Sequence, residues 1–246
     1  MSIAAELFTL PALATLTVGL VAGLLRGFTG FGGAVFAIPL LSLIYPPTTA
    51  IVVVLAGGLV GTAQLLPGAL PLMNWRESAP IVLVALAVMP FGTYALLSID
   101  PVLVRRGIGL FVLAAGFSML HGWSWRGPRT TAINGIVGAA SGLATGLGGM
   151  GGAIATLYLI SSTEPVAAVR ANLIVVIGAL TVGGFGYLAA AGGLAASDLL
   201  KISLYLPTYL ATVWIGSRVF RGTSAALYRR VAQWLLVAVG AMATVW

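Results

Sequence analysis

Long apolar runs separated by short polar connections make up most of this chain. Ten segments can be marked, at 7–25, 32–45, 48–66, 78–98, 103–120, 132–146, 150–161, 166–190, 199–217 and 226–245. A bilayer-spanning helix needs about 20 residues. Most of the segments meet that requirement; 32–45 and 150–161 fall short of it. The pattern predicts an all-α polytopic membrane protein with about eight to ten transmembrane helices, two of them short or broken.

Each short segment follows a glycine-rich interruption. The first is Arg26-Gly27-Phe28-Thr29-Gly30-Phe31-Gly32-Gly33, and the second is Thr145-Gly146-Leu147-Gly148-Gly149-Met150-Gly151-Gly152. Four or more glycines in eight residues predict that the helix is broken across each stretch. Prolines punctuate the segment edges at Pro46, Pro47, Pro67, Pro80, Pro101, Pro128 and Pro165; Pro39, Pro90 and Pro207 lie inside segments, where they predict kinks.

The two interruptions belong to a longer internal repeat. A shift of 119 residues aligns Gly19, Gly23, Gly27, Gly30, Gly32 and Gly33 with Gly138, Gly142, Gly146, Gly149, Gly151 and Gly152. Eleven of the 28 pairs from Gly19/Gly138 to Pro46/Pro165 are identical. Further on the shift becomes 124, with Gly92 meeting Gly216, Arg105-Arg106 meeting Arg229-Arg230 and Gly116 meeting Gly240. One transmembrane domain, 1–246, is therefore expected to consist of a repeat of about 1–125 and a second of about 126–246, with five segments each. An odd number of crossings per repeat inverts the second repeat relative to the first.

Charge bears on that topology. With ten crossings, one side of the membrane carries Arg26, Arg76, Arg126, Arg129, Arg170, Arg218, Arg221, Arg229 and Arg230, and the other carries Arg105, Arg106 and Lys201. Counting each broken pair as one crossing gives a less asymmetric split. The positive-inside rule favours the first arrangement and puts both termini outside the cytoplasm. The paired arginines at 105–106 and 229–230 then fall on opposite sides, which runs against it. The formal net charge of +7 could suggest nucleic acid, but these arginines sit in short loops between apolar runs, where they set orientation. The composition, 60% hydrophobic and 7% charged against about 25% charged in soluble domains, supports the membrane reading. With no cysteine there is neither a disulfide framework nor a thiolate metal site. The first residues lack the basic start of a signal peptide, so the first segment is expected to be retained.

The breaks are also where ligand chemistry is expected. Helices restarting at Gly32–Ala34 and Gly151–Ala153 point amide donors and a positive dipole end into each gap. Two such ends brought together by pseudo-twofold symmetry would bind an anion without a metal. The expected substrate-binding residues are Arg26, Thr29, Gly30, Gly32 and Gly33 in the first half, Thr145, Gly148, Gly149, Gly151 and Gly152 in the second, and Arg170 and Asn172 after Pro165. Plainer readings stand beside these. Gly19, Gly23 and Gly27, like Gly138, Gly142 and Gly146, have small-xxx-small spacing suited to helix packing. Gly30, Gly32 and Gly33 could serve packing as well as backbone shape, Arg26 could be a topogenic charge, and Arg170 and Asn172 could cap a helix. Gln64 reads as a helix–helix hydrogen bond; His121, Trp75, Trp123, Trp125 and Trp246 read as interface residues.

Glu6, Glu77, Asp100, Glu164 and Asp198 all fall at segment ends, so no carboxylate marks a mid-span proton or cation site. There is no Walker A sequence, paired nucleophile and base, or metal-ligand cluster. No cofactor and no enzyme activity are expected.

Gly23-(x)3-Gly27-Phe28-Thr29-Gly30-Phe31-Gly32-Gly33, then Pro39-Leu40-Leu41, with the repeat Gly142-(x)3-Gly146-Leu147-Gly148-Gly149-Met150-Gly151-Gly152, resembles the TauE/SafE family, the sulfite exporter or toluene-sulfonate uptake permease group. Length and duplicated layout extend the resemblance over essentially the whole chain. It implies secondary transport of a small sulfur-containing anion, such as sulfite, sulfoacetate or another organosulfonate, across the bacterial cytoplasmic (inner) membrane. Arg170-Ala171-Asn172 stands where family members often carry a small hydroxyl residue, a departure that bears on the substrate. Expected partners are a small anionic substrate and the lipid bilayer, with homodimerisation open and no nucleic acid. A carrier or channel for another anion such as a carboxylate, and a non-transporting membrane scaffold, are the alternatives.

Overall fold

The computed structural model describes residues 10–120, 125–224 and 227. All regular structure among them is helical: α1 (Leu10–Thr29), α2 (Gly33–Ile44), α3 (Pro47–Ala69, continued by a short 3-10 turn to Leu72), α4 (Trp75–Ser98), α5 (Pro101–Leu120), α6 (Thr131–Gly148), α7 (Gly152–Ile160), α8 (Val166–Ala190) and α9 (Asp198–Arg221). The expected segment 226–245, with Arg229, Arg230 and Gly240, lies outside the described residues except for Leu227, as do Trp246, Glu6, His121 and Trp123.

Five of the described helices, α1, α3 with its 3-10 extension, α4, α8 and α9, are long and apolar enough to cross a membrane. The two expected short elements are α2, with 12 residues, and α7, with 9. At 1.5 Å per residue they reach about 18 and 14 Å, against a hydrocarbon core of about 30 Å. Neither can cross alone. Both are mainly enclosed by longer helices, and Ala37, Ile38 and Leu41 of α2 and Ala155 and Leu159 of α7 are almost wholly buried.

The helix breaks are narrower than the sequence suggested. Arg26, Gly27, Phe28 and Thr29 remain helical, and so do Thr145 through Gly148. The gaps are Gly30-Phe31-Gly32 and Gly149-Met150-Gly151. The preceding helices persist because their last carbonyls find acceptable donors, described below. Pro67 and Pro80, read as segment edges, lie inside α3 and α4, where the neighbouring turns carry the helix past them.

Helix packing explains the glycines spaced by four. On α1, Gly19, Gly23 and Gly27 lie against the backbone of Tyr205, Tyr209 and Val213 on α9. On α6, Gly138, Gly142 and Gly146 lie against the backbone of Ile81, Ala85 and Met89 on α4. Residue numbers rise together along both members of each pair, so α1 runs parallel to α9 and α6 parallel to α4. Gly216 and Gly92 return the contact, onto α1 and α6 respectively. A side chain at any of these positions would collide with backbone, which cannot swing aside.

The two interfaces match each other at the sequence shifts. Gly19, Gly23 and Gly27 become Gly138, Gly142 and Gly146 at 119, while Ile81, Ala85 and Met89 become Tyr205, Tyr209 and Val213 at 124. Between them α3 crosses α8. Thr181 packs on Gly58 and Thr62 packs on Gly178, so numbers rise on one helix as they fall on the other, and this pair is antiparallel.

Replacing Gly142 by leucine should force α4 and α6 apart. Overpacking of this kind costs about 1–3 kcal/mol. The unfolding midpoint in detergent should fall, whereas Gly186→Leu, at a position with open space, should leave it nearly unchanged.

Candidate functional site

The polar ends of the two breaks meet in one enclosed cavity of about 30 Å3. Gly32, Gly33, Ala34 and Val35 line it from the first break; Thr145, Gly149, Met150 and Gly152 line it from the second. Arg26 from α1, Thr181 from α8 and Tyr209 from α9 reach the same space. The cavity admits water. Two larger hollows, of about 630 Å3 between α3, α4 and α8 and about 380 Å3 between α5 and α6, are almost entirely apolar.

Arg26 is the main charged feature of the cavity. It is 3% exposed, on the last turn of α1. Its Nη1 donates to the Gly30 carbonyl at 2.6 Å and its Nη2 to Thr62 Oγ1 at 3.1 Å. Its Nε has no hydrogen-bond partner. The ion pairs among the described residues are Arg129–Glu77 and Lys201–Asp198, so no described carboxylate neutralises Arg26. An uncompensated buried charge costs several kcal/mol unless a counter-charge arrives.

Backbone geometry aims the arginine. Gly30 and Gly32 take the left-handed conformation, with φ of 83° and 86°. At Gly30 this turns the carbonyl back towards Arg26, and at Gly32 it restarts the chain as α2. The amides of Gly33, Ala34 and Val35 belong to the first turn of α2 and have no intrahelical acceptor. They add donors and a positive dipole end beside the guanidinium.

The second break is tighter. Gly149, with φ of 68°, closes α6: its amide bonds the Thr145 carbonyl at 2.7 Å, and the Met150 amide reaches Ala144 at 3.4 Å. The amides of Ala153 and Ile154 bond back to Met150 and Gly151 at 3.0 and 3.1 Å, leaving fewer donors free than on α2. Met150, Ile177 and Leu180 make this side of the cavity apolar. Arg26 matches Thr145 at the 119 shift, so the positive pole belongs to one half only.

A family model for sulfite exporter TauE/SafE matches residues 15–243. The chain belongs to the TauE/SafE family. Searches of curated proteins and of solved structures gave no significant match.

In this TauE/SafE protein, six of the twelve candidate residues line the cavity: Arg26, Gly32, Gly33, Thr145, Gly149 and Gly152. The other six lie around it. The Thr29 hydroxyl lies 2.7 Å from the carbonyls of both Leu25 and Phe31, sharing its one donor between them, and accepts the Phe31 amide, so it shapes the turn. Gly30 acts through its carbonyl. Gly148 faces the apolar hollow beside Ile108. Gly151 has an ordinary φ of −58° and packs directly on the Ser141 carbonyl.

Arg170 and Asn172 occupy separate places. Arg170 donates to the carbonyls of Phe28 at 3.1 Å and Gly27 at 2.6 Å, with its guanidinium over the Phe220 ring. It therefore sustains the end of α1, where a cation also complements the helix dipole. Its match at the 119 shift, Ile51, packs on Gly149 much as Arg170 packs on Gly30. Asn172 accepts the Asn74 amide at 2.7 Å and donates to Glu77 and Glu164 at 3.5 and 3.4 Å, in a polar cluster at the start of α4. There Arg129 also ties Glu77 to the end of α7 through the Tyr158 carbonyl and Ser161.

Tyr209, Thr181 and Thr62 were not among the sequence candidates. Thr62 and Thr181 match at the 119 shift, a signal available in the sequence. Tyr209 could be recognised only from the register of α9 on α1.

Gly32→Ala should strain a left-handed residue by about 1–2 kcal/mol and still give a folded protein. Gly151→Ala should fail to fold, since its Cβ meets the Ser141 backbone. Thermal unfolding in detergent distinguishes the two outcomes.

Proposed function

We propose that this protein is a secondary transporter of a small sulfur-containing anion, namely sulfite, sulfoacetate or another organosulfonate, across the bacterial cytoplasmic membrane, and that the anion passes through the cavity between the breaks. The observation that carries this reading is Arg26: buried, without a described carboxylate partner, with Nε unpartnered, and lining the same cavity as the first turn of α2. That combination stabilises an anion through a fixed charge and oriented dipoles. Family membership supports transport as the activity.

In this reading the two repeats are inverted. Support comes from α3 and α8, which occupy matching places in the halves and pack antiparallel. A twofold axis that relates two antiparallel helices lies perpendicular to them, hence in the plane of a membrane they cross. The parallel pairs α1/α9 and α4/α6 fit the same axis. Counting each broken pair as one crossing would instead make α3 and α8 parallel.

The cavity then represents one stage of a cycle in which the walls around α2 and α7 part in turn. Driving force need not involve a proton. An inside-negative potential of 100 mV is worth about 2.3 kcal/mol per charge to an exported anion.

Arg26→Gln should abolish sulfite-dependent stabilisation of the purified protein and sulfite flux in proteoliposomes while leaving it folded. Binding to the folded state raises apparent stability, so unchanged stabilisation and flux would refute the site. For topology, single cysteines replacing Arg129 and Arg221 should label only from the cytoplasm and one replacing Asp100 only from outside. Cytoplasmic labelling at position 100 would contradict the inverted arrangement.

A further inference from the structure

We infer that Thr62 is a positioning residue for the anion pole, holding the Arg26 guanidinium so that Nε is left without a protein partner; this deepens the proposed function and rests on it. The guanidinium is a rigid planar fork. Fixing both terminal nitrogens determines the direction of Nε. Gly30 holds one through its carbonyl, and Thr62 holds the other from across the helix interface.

The hydroxyl geometry of Thr62 differs from that of its neighbours. The other buried threonines, Thr15, Thr29, Thr93, Thr145, Thr156, Thr181 and Thr212, each donate to the carbonyl four residues back on their own helix. That is the usual outcome for a threonine inside an apolar helix. Thr62, at 6% exposure, makes no such bond, and its oxygen accepts from Arg26 instead. Its match in the second half, Thr181, lines the cavity but bonds its own Ile177 carbonyl at 2.7 Å. The difference follows the charge: Arg26 has Thr145 at the matching position, so the second half has no guanidinium to orient.

Thr62 divides its two roles between two groups on one carbon. The methyl packs on Gly178 at the crossing of α3 and α8, while the hydroxyl faces Arg26. Valine retains the methyl and removes the hydroxyl with little change in shape. Serine does the reverse. A structural role through packing would be lost in T62S, and a role in orienting Arg26 would be lost in T62V.

The experiment uses the full chain in detergent, with sulfite and methanesulfonate as probes, Kd from titration calorimetry and KM and maximal rate from proteoliposome flux. T62V should weaken binding about tenfold or more, the range expected for a lost hydrogen bond to a charged group, and raise KM more than it lowers the maximal rate. T62S should bind like the parent chain. Parent-like binding by T62V, or equal weakening in T62S and T62V, would overturn the inference. Failure of both T62V and T62A to fold beside a folded T62S would make the hydroxyl a structural group and also overturn it. Arg26→Gln separates the levels. If it abolishes binding while T62V does not, only the positioning role fails. If it binds normally, or if the parent chain binds neither probe, the anion reading fails and takes this inference with it.

Discussion

A guanidinium held away from water without a carboxylate is the constraint around which this protein is built. Hydrocarbon tolerates neither a bare charge nor bare backbone amides. Here each requirement helps to meet the other. The turn that frees the Gly33, Ala34 and Val35 amides also bends the Gly30 carbonyl onto Arg26, and the last carbonyls of α1 are met by Arg170. The remaining deficit, one unpartnered donor and one positive charge, belongs to a residue that lines the cavity.

Holding that deficit in place needs rigid surroundings, and small residues provide them. Membrane helices gain little from burying apolar surface against one another, so close backbone contact has to supply the attraction. The glycine rows of α1 and α6 let α9 and α4 approach backbone to backbone. These interfaces fix Tyr209 on α9 opposite Gly23, about three turns from either end of its helix. The short helices α2 and α7 are then supported from outside, which permits them to begin in mid-protein.

Much of this was legible in the chain. The short elements, the repeat and the packing role of the spaced glycines follow from periodicity and spacing alone, because helix geometry is local. The extent of the breaks was not legible. Whether Arg26 to Thr29 stays helical depends on donors brought from Arg170, 142 and 143 residues away in sequence. The candidate residues divided for the same reason. Gly32, Gly33, Gly149 and Gly152 reached the cavity and Gly151 did not, whereas Arg170 and Asn172 are directed by partners elsewhere in the fold. Thr62 looks like any threonine in an apolar helix until the direction of its hydroxyl is known.

In the proposed reading, the presence of Arg26 in only one half gives the carrier an electrical character. With nothing bound, the site holds one excess positive charge; a monoanion makes it neutral, and a dianion reverses its sign. The step that senses membrane voltage is therefore chosen by the cargo. For a sulfonate the return of the empty site would move charge, and for a doubly charged oxyanion the loaded passage would move charge as well. A symmetric duplication with an arginine in both halves would hold two positive charges, and a monoanion could never bring such a site to neutrality.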